Sequence, residues 1–278
     1  MNPNNTFGID PALWRKIQSL RLLDDLLMQT AMDDFVPGVE LILRIILNKP
    51  DLEVRELTVQ KVLPRMGQRE LRLDIKAVDA EGKHYNIEVQ RSDSGAMPRR
   101  PRYHSALMDV QYLKKGMQPS ELPETYVIFI TENDCLGGGL PVYHIEHVIT
   151  ETGKPFGDDA HIVYANAAYV GDDAFGHLMS DFRERDPDKM YYRVLAEHIR
   201  EVKSGQKGVT EMSRVLEETF EEGREEGMHI GSARLLFQMM RRRGMTLEEV
   251  LEFAGLPAEQ KPAYEAHIKE LEAQTACL

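Results

Sequence analysis

The amino-acid sequence predicts an α/β fold: a mixed, mainly antiparallel central sheet flanked by helices, with a helical tail behind it. Three stretches predict this. Leu71 to Arg91 alternates apolar and polar residues on both sides of Ala80-Glu81-Gly82, the pattern of a hairpin with one apolar face. Thr125 to Asn133 is a nearly continuous apolar run between Pro123 and the Gly137 to Gly139 cluster, which suits a strand buried on both faces. From about Asp186 the composition turns helical. The expected division is therefore an α/β domain over residues 1–185 and a helical tail over 186–278.

Composition sets the outer bounds. A chain of 278 residues, 42% hydrophobic and 29% charged, can bury a full core and carry an appendage. The start MNPNNTFGIDPALWRK lacks a basic segment followed by an apolar run, and Arg44 interrupts ELILRIIL, so neither a signal peptide nor a membrane span is expected. Cys135 and Cys277 form no disulfide framework and have no zinc-type spacing, which points to a reducing, cytoplasmic setting. Thirty-four Lys and Arg against 46 Asp and Glu leave a net charge of -12, which argues against tight, extended binding to nucleic acid by the chain as a whole. Basic patches remain at Arg99, Arg100 and Arg102, at Lys114 and Lys115, and at Arg241 to Arg243. Much of the excess acid sits apart from them, at Glu217, Glu218, Glu221, Glu222, Glu225 and Glu226.

In chain order, residues 12–32 read as the first helix, with Leu13, Ile17, Leu20, Leu23 and Leu27 near helical spacing. Asp33, Asp34 and Pro37 supply helix-start chemistry for a second helix through VELILRIILNK. VRELTVQKVL (54–63) alternates as a first strand and leads through Pro64 to Gly67 into the hairpin. After a Gly, Pro and Arg loop, residues 102–117 read as a helix ending near Gly116, with Ala106, Leu107, Val110 and Leu113 as its buried face. Tyr103 there has the spacing of a core aromatic. VYHIEHVI and HIVYANAAYV read as further strands. They carry His144, His147 and His161, whose positions suit ordinary polar sites better than a metal site, because residues three apart on a strand face opposite ways.

In the tail, KMYYRVLAEHIREVKSG is amphipathic and ends at Gly205. The next helix carries Gly223, Gly227 and Gly231, a smooth stripe on which another helix can pack, in the same chain or in a second copy as a homo-oligomer. Thr246 with Glu249 three residues on reads as a capping box. The helix it opens, TLEEVLEFAG, is too acidic to read DNA as a recognition helix would.

The hairpin carries the chemistry. A three-residue turn ending on Gly82, which supplies a positive φ without steric cost, pairs Asp79 with Lys83 and fixes a register in which partners sum to 162. Asp74 then lies opposite Glu88, and Arg72 opposite Gln90. Directly opposed Cβ atoms are roughly 4.5 to 5.5 Å apart, so the two carboxylates can reach one divalent cation. A slip of one residue would put them on opposite faces. The plain alternative is a solvated polar face on an ordinary sheet.

Asp74, a short hairpin and then Glu88-Val89-Gln90 resemble the Asp…(Glu)-x-Lys core of the PD-(D/E)xK nuclease superfamily. More narrowly they resemble the Rpn family of recombination-promoting nucleases and transposases, in which the last position is often Gln; the resemblance covers roughly residues 30–180. It implies a restriction-endonuclease-like core with a mixed sheet and Mg2+, or Mn2+, at Asp74 and Glu88, with the Val89 carbonyl as a third ligand and Glu40 as an acid from the preceding helix. Glu40 and Arg44, four apart, also make an ordinary surface pair. By the same resemblance Arg102, Tyr103, His104 and Gln111 form a helix beside the site that would touch phosphates or the third strand, and Arg99 and Arg100 of the basic patch are expected to bind DNA with Arg102 and Tyr103. Gln90 can orient a water but supplies no positive charge, so Arg72 first, and Lys76 second, are the expected substitutes; Arg91 faces the other way. The implied function is metal-dependent hydrolysis of DNA. A catalytically weak module that binds nucleic acid or a protein partner is the alternative.

Overall fold

The computed structural model describes residues 7–59, 75–257 and 261–276. It divides into two compact units, Met1–Val215 and Leu216–Leu278, whereas the expected boundary at residue 185 falls within the first of them.

The first unit opens with helices α1 (Pro11–Ser19), α2 (Asp25–Met32) and α3 (Val36–Ile46). The single helix expected over residues 12–32 is thus two. Leu20 leaves the helix in an extended conformation, and the Arg21 N–H then donates to Asp24 Oδ2 at 2.7 Å. A side chain that satisfies local backbone donors competes with helix continuation, so Asp24 marks the restart. Pro37 sits in the first turn of α3, as its position predicts.

The strands are β1 (Val54–Val59), β2 (Ile75–Asp79), β3 (His84–Gln90), β4 (Thr125–Thr131), β5 (Val142–Ile145), β6 (Val148–Ile149), β7 (Lys154–Pro155) and β8 (Ala160–Asn166). Six of them form one sheet in the order β1-β2-β3-β4-β8-β5. β1, β2 and β3 are antiparallel neighbours, β3-β4 and β4-β8 are parallel, and β5 closes the edge antiparallel to β8. The mixed sheet and flanking helices agree with the expected fold class. One strand differs: Val148 and Ile149 leave the main sheet to pair with β7 in a separate ribbon. All seven residues of β4 are buried, as its continuous apolar run requires.

Helix α4 (Arg99–Tyr112) lies on one face of the sheet, where Ala96, Met108, Val127, Phe129 and Tyr164 form a core cluster. Its buried face is Pro101, His104 and Met108, not the expected row. Val110 is 75% exposed, Ala106 and Leu113 are also exposed, and only Leu107 packs partly inward. The i, i+4 row through His104 and Met108 wins because His104 has a polar partner beneath it, described below.

Helices α5 (Ala174–Arg183) and α6 (Arg193–Ser204) pack with α2 and α3. Lys203 on α6 is 2% exposed, and its ammonium donates to three carbonyls: Gln18 at 3.3 Å, and Leu20 and Arg185 at 2.6 Å. Burial pulls its pKa down to about 8. The three histidines do not converge: His147 pairs with Asp158 at 2.6 Å, His161 with Glu146 at 2.8 Å, and His144 is exposed.

Helix α7 (Gln206–Arg243) begins in the first unit and continues into the second, which also holds α8 (Leu247–Phe253) and α9 (Lys261–Ala276). Ala233, Leu236, Val250, Leu251, Tyr264 and Ile268 make the second unit's core. The expected capping box is present: Glu249 N–H donates to Thr246 Oγ1, and Thr246 N–H to Glu249 Oε2. A Cβ at Gly223, Gly227 or Gly231 would meet nothing within 4 Å, so the described residues leave this stripe open. No helix among the described residues is long and apolar enough to cross a membrane.

Lys203→Met keeps the aliphatic stem but strands three acceptors. Urea unfolding should show a loss of about 3 kcal/mol, roughly 1 kcal/mol for each unpaired carbonyl. An unchanged midpoint would mean that the three bonds contribute nothing net.

Candidate active site

The hairpin register is the expected one. Ile75 pairs with Ile87, Lys76 with Asn86, Ala77 with Tyr85 and Val78 with His84, each pair summing to 162. Asp79 N–H donates to the Lys83 carbonyl at 3.1 Å, and Gly82 takes φ +80° at the turn. The Asp79 side chain fixes the turn further, accepting from Glu81 and Lys83 N–H at 2.9 Å each and from the Tyr85 hydroxyl at 2.6 Å. Asp74, one step beyond the Ile75–Ile87 pair, and Arg72 lie outside the described residues.

Alternation along β3 sends Asn86, Glu88 and Gln90 to the α4 face, while Tyr85, Ile87 and Val89 point to the opposite face and are buried there. The polar face is not solvated. Asn86, Glu88 and His104 are each 0% exposed, which excludes the plain alternative of a wet sheet surface. Glu88 Oε1 accepts from Asn86 Nδ2 at 2.9 Å and lies 3.1 Å from His104 Nδ1. His104 Nδ1 also lies 3.4 Å from Asn86 Nδ2. The ring stands edge-on to Phe129, with centroids 5.5 Å apart. His104 Nε2 and Asn86 Oδ1 are buried with no hydrogen-bond partner among the described residues. The resemblance already put His104 on the helix beside the site; sequence reading missed Asn86, whose signal was a strand with polar residues at every second position.

Arg100, in the first turn of α4, reaches the same spot. One terminal nitrogen is 3.2 Å from Gln90 Oε1 and 3.3 Å from the Gly95 carbonyl, and the other is 4.0 Å from Glu88 Oε2. Arg99, Arg102 and Tyr103 are exposed, Tyr103 at 51%, so the core role that its spacing suggested is not observed. Lys76 shares the Glu88 face, but its ammonium donates to Gln111 of α4 at 2.9 Å, and burial lowers its pKa. Arg91 is tied to Asp24 at 2.7 Å and Glu132 at 3.0 Å.

Those last bonds close a ring, because Arg21 also meets Glu132 at 2.9 Å and Asp24 at 3.8 Å. The ring anchors the start of α2 to the ends of β3 and β4. Asp25 follows directly, and its pKa is raised, first by burial and then by the Glu88 charge, with Arg100 opposing. Asp25 itself is exposed.

Glu40 is elsewhere. Its Oε1 accepts from Val54 N–H at 2.9 Å and its Oε2 meets Arg44 at 3.1 Å. Val54 pairs with Asp79 at the turn end of the sheet, and Glu88 lies five residues beyond Lys83, roughly 17 Å along the strand at about 3.4 Å per residue. The plain i, i+4 pair is the contact observed.

Glu88 and Asp25 offer the oxygen donors that hard divalent cations take. Among the described residues no group of three or more His, Cys, Asp or Glu side chains is placed to hold a metal ion.

Comparison with known proteins agrees with this geometry. Residues 43–170, which span β1 to β8 and α4, match the family model described as PD-(D/E)XK nuclease family transposase. No curated protein and no solved structure matches the chain. The matched segment, which is similar to that family, contains the hairpin, Glu88, Gln90 and Arg100.

Proposed function

We propose that this chain is a Mg2+-dependent, Rpn-like deoxyribonuclease that hydrolyses phosphodiester bonds at the face of β3 beneath α4. The observation that carries the reading is Glu88, a fully buried carboxylate held by Asn86 and His104 in a matched nuclease-family segment. Burial of a charge without purpose is expensive, so a carboxylate supplied with dedicated donors at a strand end is a site by its chemistry.

Asp74, Glu88 and the Val89 carbonyl would hold the cation, with Asp25 in the helix-borne acidic role first expected of Glu40. Held there, magnesium or manganese would supply Lewis-acid polarisation of the scissile phosphate and of the attacking water. Asn86 and His104 both contact one oxygen of Glu88, which restricts the orientation of the carboxylate. In the reaction the water oxygen bonds to phosphorus, the ester oxygen departs, and the proton released by the water ends on that oxygen or in solvent. Arg99, Arg102 and Tyr103, exposed on α4, are free to meet the flanking phosphates and bases. A second reading, a catalytically weak binding module, draws on Gln90 in place of the motif lysine and on the net charge of -12.

Plasmid cleavage separates the two. Nicking with Mg2+ or Mn2+ that stops with EDTA, and falls at least about 10²-fold in Asp74→Ala and Glu88→Ala, is the expected result. Cleavage that survives both substitutions would sink the assignment of the site. Carboxyl NMR gives an independent check on Asp25: Glu88→Gln removes the nearby negative charge, so the Asp25 pKa should move down toward the ordinary aspartate range. An unmoved Asp25 would place it outside the site.

A further inference from the structure

We propose that Arg100 supplies the positive charge of this site and that Gln90 is the positioning residue that aims it, so strand and helix share a role that one strand lysine performs in the parent motif. The assignment rests on the hydrolase reading above.

Among the described cations near Glu88, Arg100 is the one placed to serve. Lys76 is taken by Gln111, and Arg91 by Asp24 and Glu132. Arg100 stands 4.0 Å from Glu88 Oε2, close enough for Coulombic attraction yet not locked in a short ion pair. Its guanidinium is held by acceptors instead: the Gln90 amide oxygen at 3.2 Å and the Gly95 carbonyl at 3.3 Å. Its Nε is sealed from solvent with no partner among the described residues, so the group is partly desolvated, where a charge acts most strongly.

The backbone is shaped around this contact. A Cβ on Gly95 would stand 2.1 Å from Gln90 Oε1 and 3.3 Å from the Arg100 terminal nitrogen. A side chain at position 95 would displace the end of the flexible Gln90 side chain, so glycine lets the amide sit in this place. The same contact explains the residue at position 90. A lysine there would bring its ammonium against Arg100, two cations at hydrogen-bond distance, whereas a neutral acceptor is complementary. Positions 90 and 100 therefore carry one positive charge between them.

A charge swap tests this. With duplex DNA and Mg2+, Arg100→Gln should lower kcat about 10²-fold with a much smaller change in KM. Gln90→Lys alone should also lose activity through repulsion, and the double variant Gln90→Lys/Arg100→Gln should recover at least tenfold over Arg100→Gln. Calorimetric titration with Mn2+ gives a readout that needs no turnover: removing the guanidinium should tighten Mn2+ binding several-fold. Circular dichroism and urea midpoints would confirm that each variant folds. A double variant no better than Arg100→Gln, or an Arg100→Gln with wild-type kcat and unchanged Mn2+ affinity, would overturn the assignment while leaving the hydrolase reading intact. A wild type that neither cleaves DNA nor binds Mn2+ would overturn both.

Discussion

A carboxylate without access to water must receive its hydrogen bonds from its neighbours, and much of this domain is arranged around that requirement at Glu88. The helix above it turns a histidine inward where an aliphatic side chain would pack more cheaply, and the strand beneath contributes an asparagine two residues away. Both supports are themselves fully buried, and each keeps one polar atom without a partner among the described residues. Such a cluster stabilises the fold less than an apolar one of the same volume would. Its retention is easiest to understand as the cost of holding one charged group in one orientation.

The second organising element is the ring of Arg21, Asp24, Arg91 and Glu132. Burial alone would raise the Glu132 pKa, but hydrogen bonds from Arg91 and Arg21 hold it below the ordinary value. The ring joins the restart of the helical segment to the ends of two central strands. By fixing Asp24 it also holds Asp25, which feels the Glu88 charge. Sheet, overlying helix and amino-terminal helices thus each bring one kind of group to the same place.

How much of this was legible follows from the range of each interaction. The hairpin register could be read because a three-residue turn with glycine at its end admits one pairing, and the pairing fixes the faces. The helix above it could not be oriented, since Ala106, Leu107, Val110 and Leu113 form as good an apolar row as the one actually buried; the deciding contact, His104 with Glu88, spans sixteen residues of sequence. Glu40 drew attention by lying on a helix before the hairpin, yet Arg44, one turn away, and Val54 N–H claim it. Asp25 escaped notice because apolar periodicity ran straight through residues 12–32, and the break at Leu20 depends on a side chain bonding to its own backbone. Arg100 was visible only as part of a basic patch, because nothing local distinguishes it from Arg99 or Arg102. Only the packing of Gly95 against Gln90 does so.

Lys203 has a consequence for the order in which the protein is completed. It joins carbonyls of Gln18 and Leu20, near the beginning of the chain, to that of Arg185. During synthesis the amino-terminal end leaves the ribosome first, at roughly 5 to 20 residues per second, so these carbonyls stay exposed to water until residue 203 emerges. The segment they anchor leads directly into Asp24 and Asp25. The sheet can form its strand pairs earlier, but the segment leading into Asp24 and Asp25 is secured only when α6 arrives. About 37 residues separate the end of β8 from Lys203, so a nascent chain would hold its paired strands for roughly 2 to 7 seconds before that lysine arrives.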